Sequence, residues 1–384
     1  MQESEIQGLK PARIEYHHLR DRQIIPMGAH MRRVRRSFSY LFLFFLFILG
    51  FLPYAGASQL FKRPLTLQYL TPKDGLASEM VYAIAVQEDK IWFGTYGGGA
   101  TLYDRSKNSF KAYTTKGEPQ DKRDDGKSIN WKNLLPYNHV WVIVPDRDRI
   151  WFGTYFYGFG GGGISYYQPK RKNPWRRFNT NKGRAKKVVS MAVDGDLLWV
   201  GSEKGLSLLD KKTEQWKDFF STQQGLSGNF VNALLIESEY LWAGTNGGVS
   251  RLHKTSRTWK TYAQKDGLVD LEIKSLVKVK NTLWAGSTEG SLFEYDPQTD
   301  RWRKIEAPDP LKNGGIHSLA VIQNWVFICR DNGVSVFDIP SGNWDNLTSA
   351  DGLPSNTVFC AAGDKGTIWF GTDQGASRLI LAPE

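Results

Sequence analysis

Few side chains in this chain could carry catalysis. Beyond residue 58 the only histidines are His139, His253 and His317, too scattered to suggest one base and acid pair. No cysteine and histidine spacing fits a metal, no nucleophile elbow is present, and the glycine runs lie between strands rather than before a helix. Neither a cofactor nor a metal is expected. What remains is suited to recognition. Tyr155, Phe156, Tyr157 and Phe159 stand beside four consecutive glycines at 160–163. Such aromatics can stack on a sugar or on an apolar anchor of a partner, or simply pack down a long loop. Tyr96, followed by three glycines, has the same character. Arg330 falls where related segments carry Thr or Ser; it could bind a carboxylate or sulfate, although pairing with Asp331 is the plainer reading. Asn138, Asn229 and Asn356 suit turn caps better than ligands. Residues 170–187 hold nine basic side chains and no acid, among them Lys170, Arg171, Lys172, Arg176 and Arg177, interleaved with Trp175 and Phe178. This run reads either as a solvated outer strand or as a contact for an anionic envelope partner.

A repeat must bring these residues together. A segment of the form [IL]-W-x-G-[TS] recurs around Trp92, Trp151, Trp199, Trp242, Trp284, Phe327 and Trp369, and a β-branched residue stands 11 positions before each: Val81, Val140, Val188, Val231, Ile273, Ile316 and Val358. After the first two copies the period is 42 or 43 residues, the length of a four-stranded propeller blade. The spacing therefore predicts an all-β, seven-bladed propeller over residues 58–384. Each blade would have an apolar inner strand, a tryptophan strand covered on both faces, a third strand after a glycine, and an outer strand led by an aromatic residue. The last copy lacks that outer strand, and residues 64–71 stand at the right offset from Asp74-Gly75-Leu76 to supply it. The N-terminal strand would then complete the last blade and close the ring, pairing two otherwise free edges.

The last copy, Asp351-Gly-Leu-Pro-Ser-Asn-Thr-Val358 running on to Ile368-Trp-Phe-Gly-Thr-Asp-Gln-Gly375, resembles the two-component regulator propeller repeat. Asp74-Gly-Leu76, Gln224-Gly-Leu226 and Asp266-Gly-Leu268 are partial matches. The resemblance covers about residues 60 to 384. It implies an extracytoplasmic sensing propeller of the kind joined to histidine-kinase receptors, here without the kinase portion.

Upstream, residues 32–57 join an arginine cluster, an apolar run at 38–52 and Ala55-Gly-Ala57, the three parts of a secretory signal. The run is shorter than the 18 or more apolar residues of a spanning helix. A cleaved signal is favoured over a retained anchor, and membrane association would follow only from retention. Residues 1–31 read as an untranslated or disordered extension, since Met31 directly precedes the arginines. Both readings place the ring outside the cytoplasm, in the periplasm or secreted. Formal charge is 50 minus 39, or +11; residues 1–57 hold 8 basic and 4 acidic groups, which leaves 42 minus 35, or +7, for the remainder. This mildly basic balance fits an anionic or carbohydrate ligand or a protein partner in the envelope, not nucleic acid. Cys329 and Cys360 read as small buried hydrophobes, with a disulfide open as the alternative. A ring of this size is expected to stand as a monomer.

Length variation falls on one face. The first-to-second and third-to-fourth strand turns are nearly constant, whereas residues 116–137 and 155–163 extend the opposite face, where function is expected. The expected role is a ligand- or protein-binding sensor module acting through a partner. A lyase or hydrolase of an extracytoplasmic substrate is the alternative, and a structural subunit of an envelope assembly is the third reading.

Overall fold

The computed structural model describes residues 66–115, 134–155, 162–307, 314–364 and 366–380. These form seven four-stranded antiparallel sheets, so the chain is a seven-bladed β-propeller. The predicted signal at 32–57, the extension before it and the insertion at 116–133 lie outside the described residues. Blade one consists of β2 (Val81–Gln87), β3 (Lys90–Thr95), β4 (Gly99–Asp104) and β5 (Ser109–Tyr113), hydrogen-bonded in that order. Blades two to six span 140–177, 188–220, 231–262, 273–304 and 316–347. Blade seven takes its three inner strands from 358–380 and its outer one from β1 (Thr66–Leu70), which pairs with Gly375–Ile380 so that Leu67 faces Leu379 and Leu70 faces Ala376.

The reason for this architecture is visible in single strands. β2 alternates buried and half-buried residues, whereas β3 is buried on both sides because a neighbouring sheet covers each face. Every tryptophan strand feeds a core shared with the next blade. Trp92 packs with Val140 and Phe152, Trp151 with Val188 and Leu198, Trp199 with Val231 and Leu241, and Trp242 with Ile273 and Leu283. Trp284 meets Ile316 and Val326, Phe327 meets Val358 and Ile368, and Trp369 meets Val81 and Ile91 across the closure. A buried ring of this size removes about 150 to 250 Å² from water, roughly 4 to 6 kcal/mol before chain entropy is set against it. The glycine two places on permits the approach. A Cβ on Gly153 would lie 2.5 Å from Val142 and 2.7 Å from Val188.

The Asp-Gly-Leu segments are the blade connectors. In three of them a single 3-10 turn is capped from within: Ser221 N donates to Gln224, Ala263 N to Asp266 and Thr348 N to Asp351. Thr71 N donates to Asp74 in the same way. The following glycine turns left-handed, with φ of 122° at Gly75 and 102° at Gly267, and the leucine drops into the interblade core: Leu76, Leu226, Leu268 and Leu353 are all buried.

The hydroxyls that end the second strands do not line the central channel. Thr95, Thr154, Ser202, Thr245 and Thr372 are fully buried and donate to the carbonyl of the glycine that opens the third strand. They lock that hairpin, because a hydroxyl at the end of a covered strand has no solvent to face.

Candidate functional site

One irregularity repeats in every blade. Between Val81 and Ala83 the first strand slips register against the second, and the same slip occurs at Val140/Val142, Val188/Ser190, Val231/Ala233, Ile273/Ser275, Ile316/Ser318 and Val358/Cys360. The extra residue of a β-bulge is released from the ladder and its side chain is re-aimed. Here the released residues are Tyr82, Trp141, Val189, Asn232, Lys274, His317 and Phe359. All seven line one cavity of about 560 Å³ bounded by the first strands of all blades. It is the central channel, entered from the face that carries the variable loops.

The ring is divided chemically. Blades seven, one and two contribute an aromatic arc: Tyr82 stacks on Phe359 and on Trp141, each at 4.3 Å between centroids. Trp141 in turn meets Tyr155 at 5.4 Å. Both faces of Tyr82 are therefore covered, and this arc offers the channel ring edges, the positive part of the quadrupole. Blades four, five and six contribute Asn232, Lys274 and His317. Lys274 pairs with Glu272 at 2.8 Å, and His317 Nε2 lies 2.7 Å from Asp331 Oδ1. Asp331 also accepts from Gly315 N at 2.9 Å. Two of the seven bulged residues carry buried donors with no hydrogen-bond partner among the described residues, Trp141 Nε1 and Asn232 Nδ2.

The structure gathers part of the predicted set at this mouth. Tyr155 is buried and lines the channel, with Lys187 Nζ 5.6 Å from its ring centre. Tyr96 stacks on His139 at 3.8 Å and lies 6.0 Å from Tyr82. Burial pushes the His139 imidazole down, so it is neutral at physiological pH. Asn138 caps the chain instead, its Oδ1 accepting from Thr115 N at 2.7 Å, as Asn229 and Asn356 do for Thr222 and Ser349. Phe156, Tyr157 and Phe159 lie outside the described residues. Arg330 is buried and faces neutral acceptors: Nε donates to Ser335 Oγ at 3.1 Å and Nη1 to the carbonyls of Gly290 and Gly314 at 3.2 Å. The pairing with Asp331 read from sequence is not made, since His317 and Gly315 hold that carboxylate. Desolvation brings Arg330 down to about 10, still charged at neutral pH.

The basic segment is on the outer rim and is partly tied down. Arg176 pairs with Glu214 at 2.8 Å, Arg171 donates to the Tyr166 hydroxyl, and Trp175 and Phe178 are core residues. Burial lowers the Arg177 guanidinium, while Lys170 and Lys172 are exposed. Cys329 and Cys360 are free thiols. Among the described residues no cluster of side chains could hold a metal.

Known proteins of this shape include sensor domains. The chain is similar to the extracellular domain of a hybrid two-component system from B. thetaiotaomicron, at a TM-score of 0.66 and 19% identity over 83% of this chain and 42% of that one. The extracellular domain of a one-component system from the same organism gives 0.60 and 22%, over 82% of this chain and 40% of that one. Virginiamycin B lyase from Staphylococcus aureus gives 0.55 and 14%, over 83% of this chain and 99% of that one. At these identities the likeness concerns the fold. In sequence, 167 residues are 25% identical to histidine kinase P4 of Formosa agariphila, which is 40% of this chain and 11% of that protein. The chain thus spans about a tenth of that kinase and under half of the two Bacteroides domains. No protein-family model matches it. The repeat signature resembles that of two-component regulator propellers, and the fold is shared with extracellular domains of two-component and one-component systems.

Proposed function

We propose that this chain is the recognition module of an extracytoplasmic sensing system, taking its ligand at the channel mouth and passing the signal to a partner. The bulge ring carries this reading. A packed blade core needs no bulge facing the axis, yet seven blades have one, and the released residues differ in every blade while the anchors beside them scarcely vary. Variation confined to one inward position of a rigid ring is what selectivity for a ligand requires. The aromatic arc, presenting ring edges, suits the oxygens of a carbohydrate or the ring face of an aromatic anchor, and Asn232, Lys274 and His317 suit the ligand's other polar groups. The likeness to extracellular domains of two-component and one-component systems, and the secretory signal read from the sequence at 32–57, support a sensor placed outside the cytoplasm.

The test is binding of the full chain to arrayed envelope oligosaccharides and peptides, beside Trp141→Ala, Lys274→Ala and Lys170→Ala. A captured species lost with the first two and kept with the third supports the channel. Capture that survives both channel changes refutes it.

A further inference from the structure

The seven interblade grooves are built alike, so they can be compared position by position. In the groove between blades four and five, Arg251 stands opposite Trp242 and donates to the Tyr295 hydroxyl at 2.9 Å and to Asp300 Oδ1 at 3.4 Å. Asp300 also accepts from Tyr262, Tyr295 and Lys260. Burial opposes ionisation of this carboxyl, yet those donors hold it at about 2. The groove is filled and neutralised from within.

Between blades seven and one the same positions carry other residues. Arg378 stands opposite Trp369 as Arg251 stands opposite Trp242. Gln68 replaces Lys260, Leu70 replaces Tyr262, and Asn108 replaces Asp300 beside the retained Tyr103. The carboxylate is gone and the arginine remains. Among the described residues the Arg378 side chain has no hydrogen-bond or ion-pair partner; its Nε is buried and unpartnered, and its guanidinium lies 5.5 Å from the Trp369 ring centre. Trp369 Nε1 is likewise buried without an acceptor, because Asp364, five residues before it, binds Arg105 at 2.6 Å. Where the internal side chains have shortened, a cavity of about 540 Å³ opens, lined by Arg378, Gln68, Tyr103, Asn108 and Asp74.

We infer that the groove between the last and first blades binds a small carboxylate, which takes the place that Asp300 holds between blades four and five. A guanidinium is the side chain suited to gripping a carboxylate through two parallel hydrogen bonds, and a buried Nε–H without an acceptor gains from such a partner. Asn108 completes the cradle with its amide and has a left-handed φ of 47°, close to the 53° of Asp300. Asp74, whose Oδ2 accepts from Thr71 N and Oγ1 at 2.9 and 2.8 Å, sets the limit: a second negative charge on the ligand would face it. The site lies on the outer rim and is independent of the channel.

The test uses the full chain with benzoate, and with benzamide as the neutral ligand of like shape, followed by ligand-observed NMR titration. Benzoate should bind saturably and benzamide should not, and malonate should bind more weakly than acetate. Arg378→Gln should weaken benzoate by about tenfold or more, the loss of a charge-assisted contact. Asn108→Asp restores the internal carboxylate; it should abolish benzoate binding while raising the unfolding temperature, which separates a filled site from a misfolded one. Lys274→Ala should leave benzoate unaffected. No saturable benzoate binding, equal binding of benzamide, or unchanged affinity in Arg378→Gln and Asn108→Asp would each overturn the proposal.

Discussion

Replacing Asp300 by Asn gives the blade four/five groove the amide that the closure groove carries at Asn108, and its cost can be worked from the native contacts. Asp300 is held near 2 against an ordinary value of 3.8, with burial opposing and Lys260, Tyr262 and Tyr295 prevailing. That displacement corresponds to about 2.4 kcal/mol at about 1.36 kcal/mol per pH unit. The side chain is 36% exposed, so solvent screening reduces the figure to about 1 to 1.5 kcal/mol. The sign follows from linkage: a carboxyl held below its unfolded value stabilises fully above about pH 4, and the contribution is lost as pH falls through about 2. Urea midpoints of the native protein and Asp300→Asn, measured from pH 7 down to pH 2, should therefore differ at neutral pH and converge in acid. Two parallel curves, or equal midpoints at pH 7, would show that Arg251 and Lys260 are indifferent to the carboxylate. The contrast drawn with Arg378 would then lose its basis.

Three further outcomes are expected. A Cβ at Gly267 would lie 1.8 Å from Trp302 O at a φ of 102°, so Gly267→Ala should lower stability by about 2 to 4 kcal/mol, read as a shifted denaturant midpoint; no shift would mean that the connector is not held against the next blade. Burial pushes the Cys329 thiol up to about 12 and raises Cys360 as well. A thiol reagent at pH 8 should thus leave Cys329 unlabelled in the folded protein and label it after denaturation, whereas the half-buried Cys360 lines the channel; rapid labelling of Cys329 in the native chain would contradict this. Tyr82→Ala removes the ring between Trp141 and Phe359 and should cost about 2 kcal/mol, less than a fully buried aromatic, together with any ligand held in the channel; retained binding would exclude the aromatic arc from recognition.

Much of the ring was legible because its determinants are local and repeated. The 11-residue spacing from anchor to tryptophan marks a hairpin whose turn never changes length, and Asp-Gly-Leu spells a capped turn, a left-handed step and a buried leucine in adjacent positions. The site was less legible. Tyr82, Trp141, Val189, Asn232, Lys274, His317 and Phe359 share no residue type, so no pattern of composition selects them. Their only common mark is that each follows an anchor by one place, a signal that gains meaning once the bulge is known. Tyr155 and Tyr96 drew attention as aromatics beside glycine runs, and they do meet Trp141 and Tyr82. Arg330 drew attention as a charge among hydroxyls, but besides Ser335 its acceptors are the backbone carbonyls of Gly290 and Gly314 in two other loops, which strand spacing cannot foretell. The same holds for Arg378, whose lack of a partner is evident only when blade one is set beside blade five.

A closed ring of repeats separates stability from selectivity by position. The residues that make seven cores alike must stay alike, because each blade has to fit two neighbours, and a change at Val140 or Gly153 is felt across both interfaces. A bulged residue faces the axis and lies outside the core packed between blades, so it can be Trp in one blade and Lys in another without altering that core. The outer grooves are freer still, since a carboxylate supplied by Asp300 in one can be absent in another while the tryptophan core beneath persists. Departures from the repeat at places where packing does not demand them are therefore where recognition is written. In this chain they fall at the seven bulges and at the closure groove, the two proposed sites, which differ in chemistry on one scaffold.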